Sequence, residues 1–193
     1  MAKSNPSFFK GDFALVFFTS LLMFTAFYFM LPTLPVFLTR ELKIDEAQTG
    51  IILSVYTLAA LLIRPFTGFF IDRYGRKFFY LPSLLLFAVL FLAYPFAGIF
   101  VIMLIVRFVH GAIWGVSTTT GSTLIVDIVP ADRRGEGIGL YGLAMTFPMA
   151  LGPFIGLQIT RNNNYLLMFL CAAALALCGF ILALFIKYPV LKT

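Results

Sequence analysis

Long apolar runs follow one another along this chain, and short segments rich in charged residues, Gly, Pro or Asn separate them. Each run has about the 20 residues that a helix needs to cross a hydrocarbon core of roughly 30 Å. The runs predict helices over residues 13–38, 49–71, 78–96, 99–126, 137–159 and 165–187. The alternating pattern of a membrane β-barrel is absent, and in lipid a helix satisfies its own backbone polar groups. We therefore predict an all-α, polytopic membrane protein with six transmembrane helices.

The composition agrees with this assignment. Of 193 residues, 61% are hydrophobic and 11% are charged, whereas roughly 25% are charged in a soluble domain. We divide the chain into an N-terminal segment over 1–12, a transmembrane bundle over 13–187, and a segment over 188–193. That last segment is predicted to be either a C-terminal tail or the beginning of an interdomain linker.

Positive charge is unevenly distributed between the connectors, which predicts the orientation of the bundle. One side carries Lys3, Lys10, Arg73, Arg76, Lys77, Arg133, Arg134, Lys187 and Lys192. The other side carries Arg40, Lys43 and Arg161. By the positive-inside rule, we predict a multi-pass protein of the plasma (inner) membrane with both termini in the cytoplasm. Because the charges are spread over several connectors, the net charge of +6 does not indicate nucleic-acid binding.

Sequence motifs of enzymes and of metal sites are absent. There is no HExxH, no GxSxG, no carboxylate pair within a span and no Cys/His metal spacing. The segment GIGLYG over 137–142 is a literal GxGxxG, but it follows a connector into a span rather than a strand, so we interpret it as helix packing. Cys171 and Cys178 are too far apart on one helix to form a disulfide. We expect no enzymatic activity, no cofactor and no metal.

A compact charged motif, GFFIDRYGRK over residues 68–77, lies between the second and third predicted helices. Gly68 precedes Asp72 by one helical turn and leaves room for the close approach of another helix. Gly75 can adopt a positive φ in the turn. Asp72 lies near a helix C-terminus, where a negative charge is unfavourable unless a partner compensates it. A solvated basic turn would explain the same charges, so the residues alone leave both interpretations open.

The motif matches, position for position, the loop signature GxxxDRxGRK of the major facilitator superfamily of transporters, and the chain resembles that family. The resemblance implies one half of a twelve-helix fold, built from two inverted three-helix repeats. It also implies that Asp72, Arg76 and Asp127 form a charge cluster that holds the cytoplasmic side closed. The other matched positions of this gating motif are Gly68, Arg73, Gly75 and Lys77. For Asp127, a simple acidic helix end is the alternative interpretation.

Two more segments resemble the drug:proton antiporter branch of the family. Helix 1 ends in MLPTLPVFL, where Pro32 and Pro35 are predicted kink points. Helix 5 matches the antiporter pattern at Gly139, Gly152, Pro153 and Gly156. It departs from the pattern at Pro148 and Leu157, where glycines are usual. The glycines predict close-packed helix faces, and Pro148 and Pro153 predict a hinge or bend.

Helix 4 contains IVRFVHGAIWG, which resembles the buried-arginine pattern of the same family. Arg107 lies too deep in the span to reach either surface comfortably, and an ionisable group at such depth indicates a function by default. His110 and Trp114 share or border its face, beside a seam formed by Gly111 and Gly115. We predict that this face handles substrate or protons. A structural hydrogen bond from Arg107 to backbone carbonyls is the alternative.

Three further features of the spans remain open at this point. Tyr28, like Trp114, is a candidate to line a cavity for flat compounds. Arg64 lies about 12 Å of helical rise from Asp72 and either snorkels towards the cytoplasm or acts directly. No carboxylate lies in the middle of a span, so proton coupling would use His110 or a group outside this chain, or would not occur.

These inferences combine into one functional prediction. We predict a transporter that exports a small organic molecule by alternating access, with or without proton coupling. The family resemblance implies a second six-helix half as partner, in the same chain of a longer protein, in a separate chain or in a second copy. The other predicted partners are the lipid bilayer and the substrate. The alternative function is that of a non-transporting half-transporter that acts as a membrane interaction module.

Overall fold

The computed structural model describes residues 11–189, which form six long helices and no strand. The helices are α1 (Asp12–Val36), α2 (Glu46–Tyr74), α3 (Arg76–Leu90), α4 (Phe100–Ile128), α5 (Arg134–Ile159) and α6 (Tyr165–Ala183). A π-helical turn over Phe37–Glu41 extends α1, and 3₁₀ turns over Phe91–Phe96 and Ala131–Arg133 follow α3 and precede α5. With these turns, all six are long and apolar enough to cross a membrane. The predicted all-α, six-span fold is confirmed.

Apart from α3, whose following 3₁₀ turn reaches the predicted bound at residue 96, the helices begin and end within about one turn of the predicted bounds, and a local cap explains the early start of α2. Hydropathy predicts that the second span begins at residue 49, but α2 begins at Glu46. The Asp45 carboxylate accepts a hydrogen bond from the Gln48 backbone N–H at 2.8 Å, which satisfies a donor that would otherwise lack a partner. Most of the predicted terminal segments, 1–12 and 188–193, lies outside the described residues.

The C-terminal end of α6 is tied to the start of α1. The sixth span was predicted to reach residue 187, but α6 ends at Ala183. The Tyr188 hydroxyl donates to the Ala183 carbonyl at 2.8 Å, and the Lys187 backbone N–H donates to Asp12 Oδ1 at 2.9 Å. Burial raises the pKa of Tyr188, so this hydroxyl stays protonated and remains a donor. Both ends of the described chain therefore lie at the same end of the bundle, hereafter the terminal end.

The packing of the six helices has an internal symmetry. α1 packs mainly on α5 and α6, α4 packs mainly on α2 and α3, and α3 contacts α6. Exchanging α1–α3 for α4–α6 converts the α1/α5 pair into α4/α2 and the α1/α6 pair into α4/α3, and it leaves the α3/α6 pair unchanged. Because corresponding helices are three positions apart in a chain of successive spans, an odd number, the two units run in opposite directions across the membrane. The bundle therefore consists of two inverted three-helix repeats, as the family resemblance implied.

Small residues bring α4 against α2. A Cβ added to Gly111 would overlap the backbone carbonyl of Tyr56, and one added to Gly115 would lie 2.7 Å from the Ala60 carbonyl oxygen. Only glycine permits this approach of the two backbones. The GxxxG seam predicted in helix 4 is thus the contact surface with α2.

Helix α5 makes the symmetry-related contact with α1. A Cβ added to Gly156 would overlap the backbone carbonyl of Phe29, and one added to Gly152 would lie 2.6 Å from Tyr28 Cβ. Gly139 differs from the expectation, since nothing in the described chain lies within 4 Å of its added Cβ. Its face is simply not covered by another helix of this bundle.

The prolines of the first and fifth helices do not interrupt them. α5 runs as one α-helix through Pro148 and Pro153, so neither residue breaks it. α1 likewise continues through Pro32 and Pro35, and the π-helical turn begins two residues after Pro35. That position fits the effect of a missing backbone N–H on the helical hydrogen-bond ladder.

Helices α2 and α5 keep wide apolar faces uncovered and are the least buried of the six. Exposed side chains on α2 include Leu62 and Phe66, and on α5 they include Phe147, Leu151 and Phe154. In water such patches would mark a contact surface. In a membrane protein they suit lipid or a further helical unit.

Candidate functional site

A cavity of about 580 Å³ lies between α1, α2, α4 and α5, the first two helices of each repeat. Its lining residues are Phe24, Phe27, Tyr28, Tyr56, Thr57, Ala60, Leu61, Arg64, Trp114, Thr118, Ser122, Tyr141 and Met145. Ligand pockets for small organic molecules have volumes of this order, and in helical bundles they lie between helices. The inner face of the bundle thus offers room for an organic solute.

Stacked aromatic rings form one wall of the cavity. The Phe27 ring stacks on Trp114 with centroids 4.5 Å apart and on Tyr56 with centroids 5.5 Å apart. Phe24 meets Trp114 edge-on at 5.0 Å. Tyr28 lies beside this wall, where Gly152 leaves space for it. Trp114 and Tyr28 therefore occupy the predicted kind of position, and their part in substrate handling stays a prediction.

Arg64 is the charged side chain in the cavity lining. It follows Tyr56 and Ala60 at intervals of four residues, which places all three on one face of α2. Within residues 11–189 the Arg64 guanidinium has no hydrogen-bond or ion-pair partner, and the Tyr28 hydroxyl has no hydrogen bond. Of the two interpretations of Arg64, its place on the cavity wall favours a direct role.

Three other polar side chains of the cavity are engaged in hydrogen bonds. Thr118 Oγ1 donates to the Trp114 carbonyl at 2.9 Å, and the Tyr141 hydroxyl shares a 3.0 Å hydrogen bond with Ser20. Ser122 donates to a carbonyl of its own helix at 2.9 Å. The Arg64 guanidinium is thus among the unengaged donors that face the cavity, and the described lining of the cavity contains no carboxylate.

A second cation, Arg107, is buried behind the aromatic wall. Its side chain is 3% exposed, and its Cζ lies 4.1 Å from the centroid of the Tyr56 ring. Arg107 Nη1 donates to the Tyr94 hydroxyl at 3.3 Å, and Tyr94 is bonded to His110 Nδ1 at 2.9 Å. The alternative of a hydrogen bond from Arg107 to backbone carbonyls is not found in the described chain.

The order of donors in this buried network follows from its chemistry. Arg107 can only donate, so the Tyr94 oxygen accepts from it. The hydroxyl proton of Tyr94 is then free to bond His110 Nδ1, an arrangement in which the neutral histidine carries its proton on Nε2. Within the described residues, Arg107 Nε, His110 Nε2 and the Tyr56 hydroxyl have no partner. The network is therefore incompletely satisfied, a state that is costly in a buried site.

The structure separates residues that the sequence placed on one face. Trp114 reaches the cavity, whereas Arg107 and His110 lie behind Tyr56 and do not line it. Sequence reasoning did not single out Tyr94 or Tyr56. Tyr94 lies in the 3₁₀ turn that contains Pro95. Its hydroxyl group at the end of an apolar run was the sequence feature that could have indicated a polar role. Tyr56 gave no local signal, because its role arises from contact with another helix.

At the terminal end, three charged residues form a cluster. Arg76 Nη2 lies 2.9 Å from Asp72 Oδ1, and Arg76 Nε lies 2.9 Å from Asp127 Oδ2. Arg76 Nη1 also donates to the Ile71 carbonyl at 2.9 Å, at the end of α2. Arg76 thus joins α2 and α4 through their C-terminal ends. Asp72 is 70% exposed, which leaves most of this carboxylate uncovered by the described chain.

The other residues of the loop motif have separate positions. Gly75 has φ 95°, a conformation that favours glycine, and turns the chain from α2 into α3. Arg73 and Lys77 lie near the rings of Tyr74 and Tyr188, respectively. Gly68 has nothing within 4 Å of an added Cβ in the described chain. The close approach expected at Gly68 is therefore not made within this bundle, because its side of α2 is not covered.

Comparisons with known proteins agree on one family. A family model described as Major Facilitator Superfamily matches residues 16–193. The chain is 25% identical to the quinolone resistance protein NorA of Staphylococcus aureus (strain Mu50 / ATCC 700699) over 169 residues, 88% of this chain and 43% of that protein. It is 29% identical to the staphylopine export protein of the same strain over 127 residues, 65% of this chain and 31% of the relative.

A solved structure has the same fold. The crystal structure of the human organic anion transporter MFSD10 (TETRAN) matches 92% of this chain and 47% of that chain, with a TM-score of 0.75 and 20% sequence identity. The chain thus spans less than half the length of these similar proteins.

Proposed function

The chain belongs to the Major Facilitator Superfamily, and from this premise we propose that it forms one six-helix half of a transporter that exports a small organic molecule by alternating access. The cavity carries this proposal. It lies within a bundle of membrane-spanning helices, between the first two helices of both repeats. In transporters built from inverted repeats, such a site is exposed alternately to the two sides of the membrane.

The proposed partner is a second six-helix half, which is part of the same chain in a longer protein, a separate chain or a second copy. The apolar faces of α2 and α5 and the exposed carboxylate of Asp72 support it, since another helical unit would cover them. The lengths of the relatives support it too, because the chain spans 43% of NorA.

The charge cluster at the terminal end is the proposed latch. Arg76 binds the carboxylates of both Asp72 and Asp127, which fastens α2 to α4 at one end of the cavity. A rocking motion that opens this end would have to rearrange the pairs. The positive-inside pattern of the connectors supports a cytoplasmic location for this end, with both termini in the cytoplasm, in the plasma membrane.

Export is the proposed direction of transport. Two of the similar proteins are named for quinolone resistance and for staphylopine export, which supports outward transport of organic molecules. For proton coupling within this half, His110 is the proposed carrier, because no carboxylate lies in the middle of a described span. Protonation of its Nδ1 would displace the proton that Tyr94 donates and so disturb the bond to Arg107.

Flux through proteoliposomes tests the function. The complete protein would be assayed with three fluorescent compounds that share one ring system: pyrenebutyrate, pyrenebutanol and pyrenebutylamine. We expect it to transport at least one of them. Thr57→Trp fills the cavity and should abolish that flux, whereas Leu170→Trp on the exposed face of α6 should preserve it. Equal loss in both variants, or no flux of any compound by the wild type, would count against the proposal.

An imposed pH gradient tests the coupling separately. The wild type is expected to accumulate the transported compound against its gradient when the pH differs across the membrane. His110→Gln should lose this accumulation but keep exchange of the compound between the two sides, since the histidine does not line the cavity. Accumulation that survives the substitution would exclude His110 as the carrier.

A further inference from the structure

The charge around the cavity indicates which solutes it takes, an inference that rests on the proposed transport function. Two positive side chains lie at membrane depth here, Arg64 on the wall and Arg107 behind Tyr56. No Asp or Glu of the described chain lines the cavity. We propose that the cavity binds aromatic organic anions and that Arg64 holds the anionic group.

Arg64 has the position and the free donors that an anion site requires. Its backbone lies about 15 Å of helical rise from Tyr74, where α2 ends, which is about half of a hydrocarbon core of roughly 30 Å. A cation there is costly unless it is paired. Arg64 has no partner among residues 11–189, and its guanidinium matches the planar, bidentate geometry of a carboxylate or sulfonate.

Arg107 adds to the positive electrostatic potential of the cavity without contacting the ligand. Its guanidinium lies against the far side of the Tyr56 ring, 4.1 Å from the ring centroid, and its hydrogen bond to Tyr94 is to a neutral group. In a buried site of low dielectric, an uncompensated charge acts over a longer distance than in water. The cavity side of Tyr56 is therefore positive, which attracts anions and opposes cations.

The aromatic wall selects the remainder of the ligand. Phe27, Trp114 and Tyr56 form an aromatic wall of the cavity against which a planar ring system can pack. Aromatic faces alone would also accept an organic cation. The two arginines decide against the cation, because a positive ligand would enter a positive cavity with no carboxylate of the described lining to pair with it.

Binding of the three pyrene compounds to the complete protein in nanodiscs tests this inference. Energy transfer from Trp114, the single tryptophan of these 193 residues, reports occupancy, and Trp114→Phe identifies its share of the signal. We expect pyrenebutyrate to bind more tightly than pyrenebutanol, and pyrenebutylamine to bind most weakly. Arg64→Gln should weaken pyrenebutyrate about tenfold or more, as a charge-assisted hydrogen bond is lost, and should change pyrenebutanol less than about twofold.

Two variants control for charge and for folding. Arg161→Gln removes one positive charge from an exposed turn outside the cavity and should leave all three affinities unchanged. Arg64→Lys keeps the charge but not the bidentate geometry. Unlike Arg64→Gln, it should therefore still prefer pyrenebutyrate over pyrenebutanol, and it should bind pyrenebutyrate with part of the wild-type affinity. Unchanged pyrenebutanol binding by Arg64→Gln also shows that the cavity is intact.

The outcomes separate this inference from the transport proposal. If the acid, alcohol and amine bind equally, or if Arg64→Gln leaves the preference for the acid intact, the anion site is wrong, even if the protein transports all three. If the acid binds through Arg64 but no compound crosses the proteoliposome membrane, the anion site stands and the transport proposal fails.

Discussion

Tyr94 holds together the most deeply buried charges of this protein. It accepts a hydrogen bond from Arg107 and is bonded to His110, and all three side chains are 3% exposed or less. The Arg107 guanidinium otherwise rests on the ring of Tyr56. One phenolic oxygen therefore decides whether a buried cation and a buried imidazole have a polar neighbour.

Tyr94→Phe removes that oxygen while keeping the ring. We expect a loss of about 1–3 kcal/mol in the free energy of unfolding, because buried polar groups on Arg107 and His110 lose their partner. Thermal unfolding of the purified protein in detergent measures the change. Tyr74→Phe, at an exposed tyrosine, is the matched control and should unfold like the wild type. Equal midpoints for both variants would show that the network does not stabilise the fold.

At this scale the sequence identifies the unusual residues but not their neighbours. Arg107, His110 and Trp114 stand out because ionisable and amphipathic groups are rare in apolar runs. Which of them reaches the cavity depends on Tyr56, which belongs to α2 and lies 51 positions earlier than Arg107 in the printed sequence. Helical periodicity describes one helix and carries no information on what its neighbour places in front of it.

Glycine contacts between helices set the arrangement of the elements. Gly111 meets the backbone of Tyr56 between α4 and α2, and Gly156 meets the backbone of Phe29 between α5 and α1. These are the symmetry-related contacts of the two repeats. They fix the distance between the helices that enclose the cavity.

Gly111→Ala is expected to destabilise the bundle by about 1–3 kcal/mol, as overpacking does in a tight core. The added methyl group would collide with the carbonyl of Tyr56, a backbone atom that cannot move independently. Gly139→Ala adds the same methyl group to α5, where nothing within residues 11–189 lies within 4 Å. A lower unfolding temperature for Gly111→Ala alone is the expected result, and equal unfolding temperatures for the two variants would contradict it.

Element boundaries were largely predictable, because the length of an apolar run measures how much of a helix lies in lipid. Hydropathy does not detect caps, so the start of α2 at Glu46 and the end of α6 at Ala183 were not anticipated. Gly68 and Gly139 carry the small-residue signal of close packing, yet both are open within this bundle. The signal marks a surface that permits close approach and does not identify the helix that approaches.

The bundle as a whole has a charge cluster at one end and two helix faces that the described chain leaves uncovered. The cluster of Asp72, Arg76 and Asp127 lies at the terminal end, and the apolar faces belong to α2 and α5. Asp72 belongs to the charge cluster, and its side chain is 70% exposed. A second six-helix half placed against α2 would cover the carboxylate and make the latch part of the interface.

Asp72→Asn removes the negative charge that Asp72 contributes to the proposed latch, and it leaves the size of the side chain nearly unchanged. Loss of one exposed ion pair is worth up to about 1 kcal/mol, so we expect the ratio of open to closed states at the terminal end to rise by up to about fivefold. Transport should fall, because the closed state is reached less often. Asp132→Asn neutralises an exposed acid with no ion pair in the described chain and should transport normally. Normal transport by both variants would mean that Asp72 does not take part in closure.

Alternating access requires that the cavity be reachable from each side of the membrane in turn. A single cysteine introduced as Ser122→Cys, with Cys171 and Cys178 replaced by serine, would report it, since Ser122 lines the cavity and is exposed. Ser83→Cys, on the buried side of α3, is the unreactive control. In oriented vesicles of the complete protein, we predict labelling of residue 122 by a membrane-impermeant thiol reagent from either side, and protection when a transported compound is bound. Labelling from one side only, whatever compound is present, would contradict alternating access.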